Sequence, residues 1–446
     1  MNGMDLINRL RGLGVKLWLD GEKLRFTAPR GALTPELRDE MKARKSELRQ
    51  FLAWAQGQMT RDREQPVIPP APRTDPIPLS SAQERLWFID QLQPNTVAYH
   101  VPTGLRLLGP LDVAVLDQCF ATLVARHESL RTVFPALRGK PRQQLLSAPQ
   151  SWTSAIHDLS SLDDEQSLSA IRTQLQQLVA QPFDLECGPL LRTTLLHVAD
   201  DEHILLITMH HIITDGWSMG VMVRELSQLY SALVRGQPSP IPALSLQYPD
   251  FAVWQREKLR GQRLDSLLAY WRDQLSGVEA LRLPTDHPRP AVLSNSGGAV
   301  PLRLSRQLTD TLKTVSRDCD ATPFMTLLAA FHILLSRYSD QRDLCIGTPI
   351  ANRNHADLES LIGFFVNTLV IRNVLVEHES FSEFVARVRN TTLGAYDHQD
   401  LPFEQLVASL LDKRNLDRNP LFQVSFALQN APTRRIEQAG LTIEVL

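Results

Sequence analysis

The sequence predicts a mixed α/β (α+β) chain made of two similar halves, with a small separate module in front. Three observations carry this. From residue 78 onward, short apolar strands alternate with amphipathic helices, the pattern of layered α/β structure. The same alternation recurs over residues 299–395, and two α/β halves in one chain place a cleft at their junction. A stretch at 57–77 carries Pro66, Pro69, Pro70, Pro72 and Pro76, which favours extended geometry and marks a linker between residues 1–56 and the main body.

Bulk properties narrow the function classes. A length of 446 residues suggests two to three domains, at roughly 150 residues each. Hydrophobic content of 43% and charged content of 22% are ordinary for a globular protein. The formal net charge of -2 gives no electrostatic reason to expect nucleic acid or an anionic membrane as partner. Cys119, Cys187, Cys319 and Cys345 are widely spaced, which argues against a metal site or a disulfide framework and fits a reducing cytoplasm. No signal segment and no run of 18 apolar residues is present, so neither export nor membrane spanning is expected. A monomer is expected.

In the front module, Asp5 to Leu13 reads as a short helix with Leu6, Ile7, Leu10 and Leu13 on one face. Residues 16–27 read as two short strands around the Asp20-Gly21 turn. Thr34-Pro35-Glu36 opens a second helix, with a cap, a proline at the first position and an acidic residue after it. A two-stranded ribbon is marginal in water unless helices cover it, and its free edge can accept an extended peptide.

In the main body, Leu79 to Ile89 turns helical after a Ser-rich cap. Thr103 to Leu108 is a strand and Leu111 to Arg126 a helix. Leu190 to Val198 is a strand, and Val221 to Leu233 a helix. In the second half, strands are expected at 299–304, 344–350 and 363–372, with helices at 309–317, 324–338 and 381–395.

Between the strand at 190–198 and the helix at 221–233 lies the stretch richest in chemistry. Ile204 to Met209 is an apolar run long enough for a buried strand. It ends in His210 and His211, then Ile212, Ile213, Thr214 and the turn pair Asp215-Gly216. Neighbouring strand residues point to opposite faces, so one histidine can face a cavity while the other needs a structural partner.

The spacing His-His-x-x-x-Asp-Gly resembles the signature of condensation domains of nonribosomal peptide synthetases, and more distantly that of chloramphenicol acetyltransferase and carnitine acyltransferases. Six further segments match the ordered motifs of that family: Ser81 to Trp87, Arg126 to Thr132, Tyr248 to Trp254, Ile362 to Thr368, His398 to Glu404 and Arg414 to Leu421. The main body is therefore identified as a member. The resemblance implies two chloramphenicol-acetyltransferase-like lobes in a V, about 78–255 and 256–446, with a tunnel through their junction. Residues 1–56 resemble docking domains of the TubC type, which recognise the C-terminal tail of a partner subunit.

The resemblance also implies a reaction: thioester aminolysis by an acyltransferase. The amine of one carrier-bound aminoacyl group attacks an acyl or peptidyl thioester on another carrier. No cofactor is expected on this chain, since 4'-phosphopantetheine is carried by the partner carrier domains, one upstream donor and one downstream acceptor. His211 is the expected base or positioner of the amine, and His210 is structural. Asp215 is either a partner of His211 or, as the family implies, half of a structural ion pair with Arg131 or Arg85. Gly216 keeps the backbone small where substrate passes. Trp217 lines the tunnel or fills core, with core the expectation. Asn367 reaches the junction, and Tyr248 or Trp254 supports it. Phe364, Phe365 and Phe403 pack the lobes together.

The wording Asp215-Gly-Trp-Ser-Met-Gly220 is closest to the class that joins two L-configured residues. Starter domains, which acylate a first amino acid, are the alternative. A non-catalytic recruitment domain of the same fold and a small-molecule acetyltransferase are readings from other classes. Family members continue beyond the last motif, so the chain reads as truncated within the second lobe, with an exposed apolar edge at Leu441 to Leu446.

Overall fold

Caps and periodicity decide where the helices of the main body begin. In a computed structural model of the chain, the residues described are 16–20, 23–27, 37, 41, 67–73, 76–161, 164–288, 297–410, 419, 421–429, 435–438 and 440–446. They fall into two compact units: 1–67 with 354–356, and 68–353 with 357–446.

In the first unit, β1 (Lys16–Asp20) and β2 (Lys23–Thr27) pair antiparallel, with Lys16 opposite Thr27 and Asp20 opposite Lys23. The hairpin is the one the Asp20-Gly21 turn predicts. Leu37 and Met41 are helical and buried, one turn apart on one face. The helix expected at Asp5 to Leu13 lies outside the described residues.

The second unit contains two cores. The first is built on a six-stranded sheet. Four of its strands are β3 (His100–Leu108), β4 (Ala155–Asp158), β5 (Leu191–Ala199) and β6 (Glu202–His210). Strands β7 (Asp343–Ile350) and β8 (Asn367–Val374) form a separate antiparallel pair in the second core. Strands β9 (Ile436–Gln438) and β10 (Leu441–Val445) return to the first sheet, whose order is β9-β10-β3-β6-β5-β4. Among the described residues of this sheet, only β4 runs parallel to its neighbour. Strand β6 is central and buried along nearly its whole length, which is why it reads as an unbroken apolar run rather than an alternating one.

Helices cover these sheets. Helix α1 (Ser81–Leu92) starts at a capping box between Ser80 and Gln83, and α2 (Val113–Arg126) starts at Asp112, whose carboxylate accepts from Val115 N–H. Helix α2 buries Leu116, Cys119, Phe120, Leu123 and Val124 in the first core. Helices α3 (Asp164–Val179) and α4 (Gly216–Val234) complete that lobe. Then follow α5 (Tyr248–Lys258), α6 (Gly261–Leu275), α7 (Arg306–Asp318), α8 (Pro323–Ser339), α9 (Phe381–Asp397) and α10 (Phe403–Leu410). The second core gathers Trp271 of α6, Leu328 of α8, Ile346 of β7, Ile371 of β8 and Val385 of α9. No single described helix is long and apolar enough to cross a membrane.

Three expectations fail here. The segment at 299–304 is not a strand. Its alternating Val300, Leu302 and Leu304 are exposed, because no described strand lies beside them. The edge expected to be bare at Leu441 to Leu446 is instead strand β10, hydrogen-bonded to β3 with Leu441 and Ile443 buried in the first core. Only Val445 and Leu446 remain exposed among its large apolar side chains. Finally, the Pro-rich stretch is not a free spacer to its end. Ile68 and Ile77 are buried, Ala71 N–H donates to Asp250 Oδ1 at 2.7 Å, and Arg73 bridges Glu128 and Asp250. The rest of the linker, 57–66 and 74–75, lies outside the described residues.

Candidate active site at the junction of the two lobes

Strand β6 ends at His210, and the chain turns at once into a single 3-10 turn, His211–Ile213, before α4 begins. The turn is closed by Thr214 N–H donating to His211 O at 3.2 Å, and His211 N–H donates to Tyr99 O at 2.8 Å. The two histidines therefore part company. His210 is fully buried beside His100 and Phe183, and its Nδ1 accepts from Ile212 N–H at 3.2 Å. Burial, with His100 and His211 nearby, pushes its pKa down to about 3, so its ring is neutral at pH 7.

His211 is only partly buried. Its Nδ1 lies 2.7 Å from Thr214 O. A carbonyl can only accept, so Nδ1 carries a proton, and in the neutral form of the ring the lone pair is on Nε2. The ring packs against Phe364 in a tilted contact, with centroids 4.7 Å apart and planes inclined by 59°. A neutral imidazole with an unprotonated Nε2 is equipped to take a proton or to accept a hydrogen bond from an amine.

Asp215 plays a different part. It is the N-cap of α4, with no exposed surface, and accepts from Ser218 N–H at 2.8 Å and Ser218 Oγ at 2.7 Å. Its carboxylate also takes Phe365 N–H at 3.0 Å and Arg353 Nη2 at 3.1 Å. Neither oxygen is directed to His211 by any bond among the described residues. The Arg353 side chain is buried with it. Its Nη1 donates to Leu358 O and Leu361 O, its Nη2 to Ser218 Oγ, and its plane lies over Phe365, 4.1 Å from the centroid.

These bonds fasten residues 358–366 to the first lobe. Gly363 N–H donates to Ser218 Oγ at 3.0 Å, and Tyr248 O–H donates to Phe364 O at 2.6 Å while lying 2.8 Å from Ser80 Oγ. Gly363 is required by contact: a Cβ there would sit 2.0 Å from Tyr248 Cδ2. A third apolar cluster, including Ile68, Tyr248, Phe251, Leu361 and Phe365, fills the space behind. A small cleft nearby has Ser80, Gln255, Phe364, Asn367 and Glu404 among its walls.

Several expected placements differ. Arg131 and Arg85 do not pair with Asp215: Arg131 Nη1 donates to Leu146 O at 2.6 Å, and Arg85 pairs with Glu404 at 3.2 Å. Trp217 is not core. It is 46% exposed, with its indole N–H donating to Glu359 O at 2.9 Å. Gly216 has open space where a Cβ would stand, so the backbone itself does not demand glycine there. Asn367 borders the cleft and holds the turn at Gln399, Leu401 and Phe403. Tyr248 supports the junction directly, whereas Trp254 packs on Phe251 and under Lys258. Ser218 and Arg353 escaped sequence reasoning. Ser218 stands three residues after Asp215, a spacing that an aspartate at a helix start can use, but Arg353 carried no signal.

The Condensation domain family model matches residues 73–444, and the TubC N-terminal docking domain model matches residues 4–53. One of the linear gramicidin synthase chains of Brevibacillus parabrevis is 46% identical over 375 residues, covering 84% of this chain and 7% of that protein. Malpibaldin synthetase of Mortierella alpina is 43% identical over 403 residues, covering 90% of this chain and 7% of that protein. The chain thus spans less than a tenth of the length of the curated relatives it first matches. Among solved structures, the X-domain from teicoplanin biosynthesis superposes with a TM-score of 0.75 at 30% identity, over 85% of this chain and 84% of that one. The first condensation domain of the calcium-dependent antibiotic synthetase, bound to a substrate analogue, shares the fold at a TM-score of 0.68 and 22% identity, over 84% of each chain. The chain belongs to the condensation domains of nonribosomal peptide synthetases, with a TubC-type docking domain ahead of that domain.

Proposed function

We propose that this chain forms an amide bond between two carrier-bound thioesters in an elongation step joining L-configured residues. The observation that carries the reading is His211, whose Nδ1 is committed to Thr214 O, so that Nε2 is the ring nitrogen left to meet the amine. The neutral amine of the acceptor attacks the thioester carbonyl carbon, and the C–N bond forms. The proton it sheds passes to Nε2 of His211. The tetrahedral intermediate then collapses, the C–S bond breaks, and the departing thiolate takes up a proton. A free amine is already partly neutral near pH 7, so holding two tethered reactants together supplies much of the acceleration. Asp215 contributes by fixing the loop that carries His211 rather than by touching the reacting atoms.

The elongation assignment rests on the wording of residues 215–220 and on the docking module, which suits a donor arriving on a separate polypeptide. Both partners, an upstream polypeptide tail held by residues 1–56 and a downstream acceptor carrier, are part of the proposal, as is a cytoplasmic setting. A second reading is favoured by one observation: the likeness to an X-domain, a protein solved also in complex with OxyB. On that reading the chain recruits a partner and performs no acyl transfer.

The test is an intact-mass assay. A donor carrier with an acyl or peptidyl load and an acceptor carrier with an aminoacyl load are mixed with the chain, and the extended arm on the acceptor is measured. Transfer that disappears in His211→Ala supports the proposal. Transfer from acyl-coenzyme A but not from a loaded carrier would move the assignment to a starter domain, and no transfer at all would leave recruitment.

A further inference from the structure

Phe364 stands where the two lobes and the imidazole meet. Its ring, 9% exposed, packs on His211 at 4.7 Å and also walls the junction cleft. Its backbone is held on three successive residues, each time by a side chain of the first lobe: Gly363 by Ser218, Phe364 O by Tyr248, and Phe365 N–H by Asp215. The bond from Nδ1 to Thr214 O pins one atom of the imidazole. One pinned atom leaves the ring plane free to rock, and a ring on an sp³–sp² torsion has a broad well. The second restraint on that plane is the tilted contact with the Phe364 ring.

We propose that Phe364 is a positioning residue for His211, setting the direction of the Nε2 lone pair. This rests on the reading of His211 as the group that meets the amine. It also gives the Asp215–Arg353 ion pair a path to the chemistry. The pair fixes residues 363–365, residues 363–365 fix the Phe364 ring, and that ring fixes the imidazole.

The experiment compares Phe364→Leu, Phe364→Tyr and Tyr248→Phe in the full chain. Activity is read with an acyl-loaded donor carrier and an alanyl-loaded acceptor carrier, and long-range ¹H–¹⁵N spectra of ¹⁵N-histidine-labelled protein read the tautomer and environment of His211. With Phe364→Leu, kcat is expected to fall about tenfold or more, as for small misplacements of a reacting group, with KM for both carriers unchanged. The His211 ring signals are expected to shift and broaden as the ring plane loosens, while the tautomer set by Thr214 O is kept. Phe364→Tyr should restore both, and Tyr248→Phe should shift both in the same direction by a smaller step. An unchanged His211 spectrum in Phe364→Leu overturns the proposal, whatever happens to turnover. So does a fall confined to KM, which would make Phe364 only a wall of the cleft. Should Phe364→Leu fail to fold, an unmoved spectrum in Tyr248→Phe overturns it instead. His211→Ala with full turnover would sink the reading of His211 itself, while the spectra would still report on Phe364.

Discussion

Arg353 is the residue on which the polar groups of the junction converge. Its guanidinium meets a carboxylate, a hydroxyl and two carbonyls in a buried space. Removing one member of such a pair leaves the other charge buried and alone, at a cost of about 3–5 kcal/mol. Arg353→Met should therefore lower stability by that order in urea titration, with turnover falling alongside. Asp215→Asn should also lose both, because an amide can serve Ser218 N–H but turns an NH₂ toward Arg353 or Phe365 N–H. An Asn variant of native stability and no turnover would give Asp215 a chemical role instead. Gly363→Ala tests the tight contact with Tyr248. Overpacking of this kind costs typically about 1–3 kcal/mol, and a Cβ at 2.0 Å falls at the upper end, measurable by the same titration.

At the scale of elements, helices were more legible than strands. Ser80, Asp112, Ser305, Thr322 and Ser380 each accept a hydrogen bond from the first turn of their helix, and each is visible as a cap residue in the sequence. Alternation at 299–304 says which side chains share a face but not whether a partner strand exists, so that strand was expected and is absent. Membership of a sheet is equally silent: nothing local in Leu-Thr-Ile-Glu-Val says that β10 belongs to the lobe the chain left earlier. The ion pair of Asp215 shows the same limit at a distance. Its kind could be anticipated from a buried aspartate, but its partner lies 138 residues away in a segment with no pattern. Strand β10 also yields a prediction. A chain ending at residue 435 would lose Leu441 and Ile443 from the first core, each worth about 1.5–3 kcal/mol when buried. Its thermal midpoint should fall and soluble yield with it; an unchanged midpoint would mean that β10 adds nothing to the first lobe.

For the whole molecule, buried imidazoles set the response to acid. Burial pushes His332 of α8 down to about 3, and His210 likewise. Both start from 6.5 when solvated. Between those values the unfolded chain binds protons that the folded chain refuses, so stability rises with pH across the window and falls as pH drops below about 6.5. Each such histidine contributes a slope of about 1 kcal/mol per pH unit there. Urea titrations at pH 7 and pH 5.5 should show this loss, and His332→Leu should flatten the slope by the share of one proton. A slope unaltered by that substitution would place the titrating group elsewhere.

The pairing of β10 with β3 has a consequence for biosynthesis. A ribosome delivers β3 early and β10 only after β7, β8 and helices α5 to α10 have emerged. Until then one side of β3 has no neighbour, and an open strand edge is a template for pairing with other chains. Contacts between segments so distant in sequence also form slowly. The first lobe is thus completed only after that long interval, and slower translation or a bound chaperone during it should raise the yield of native protein.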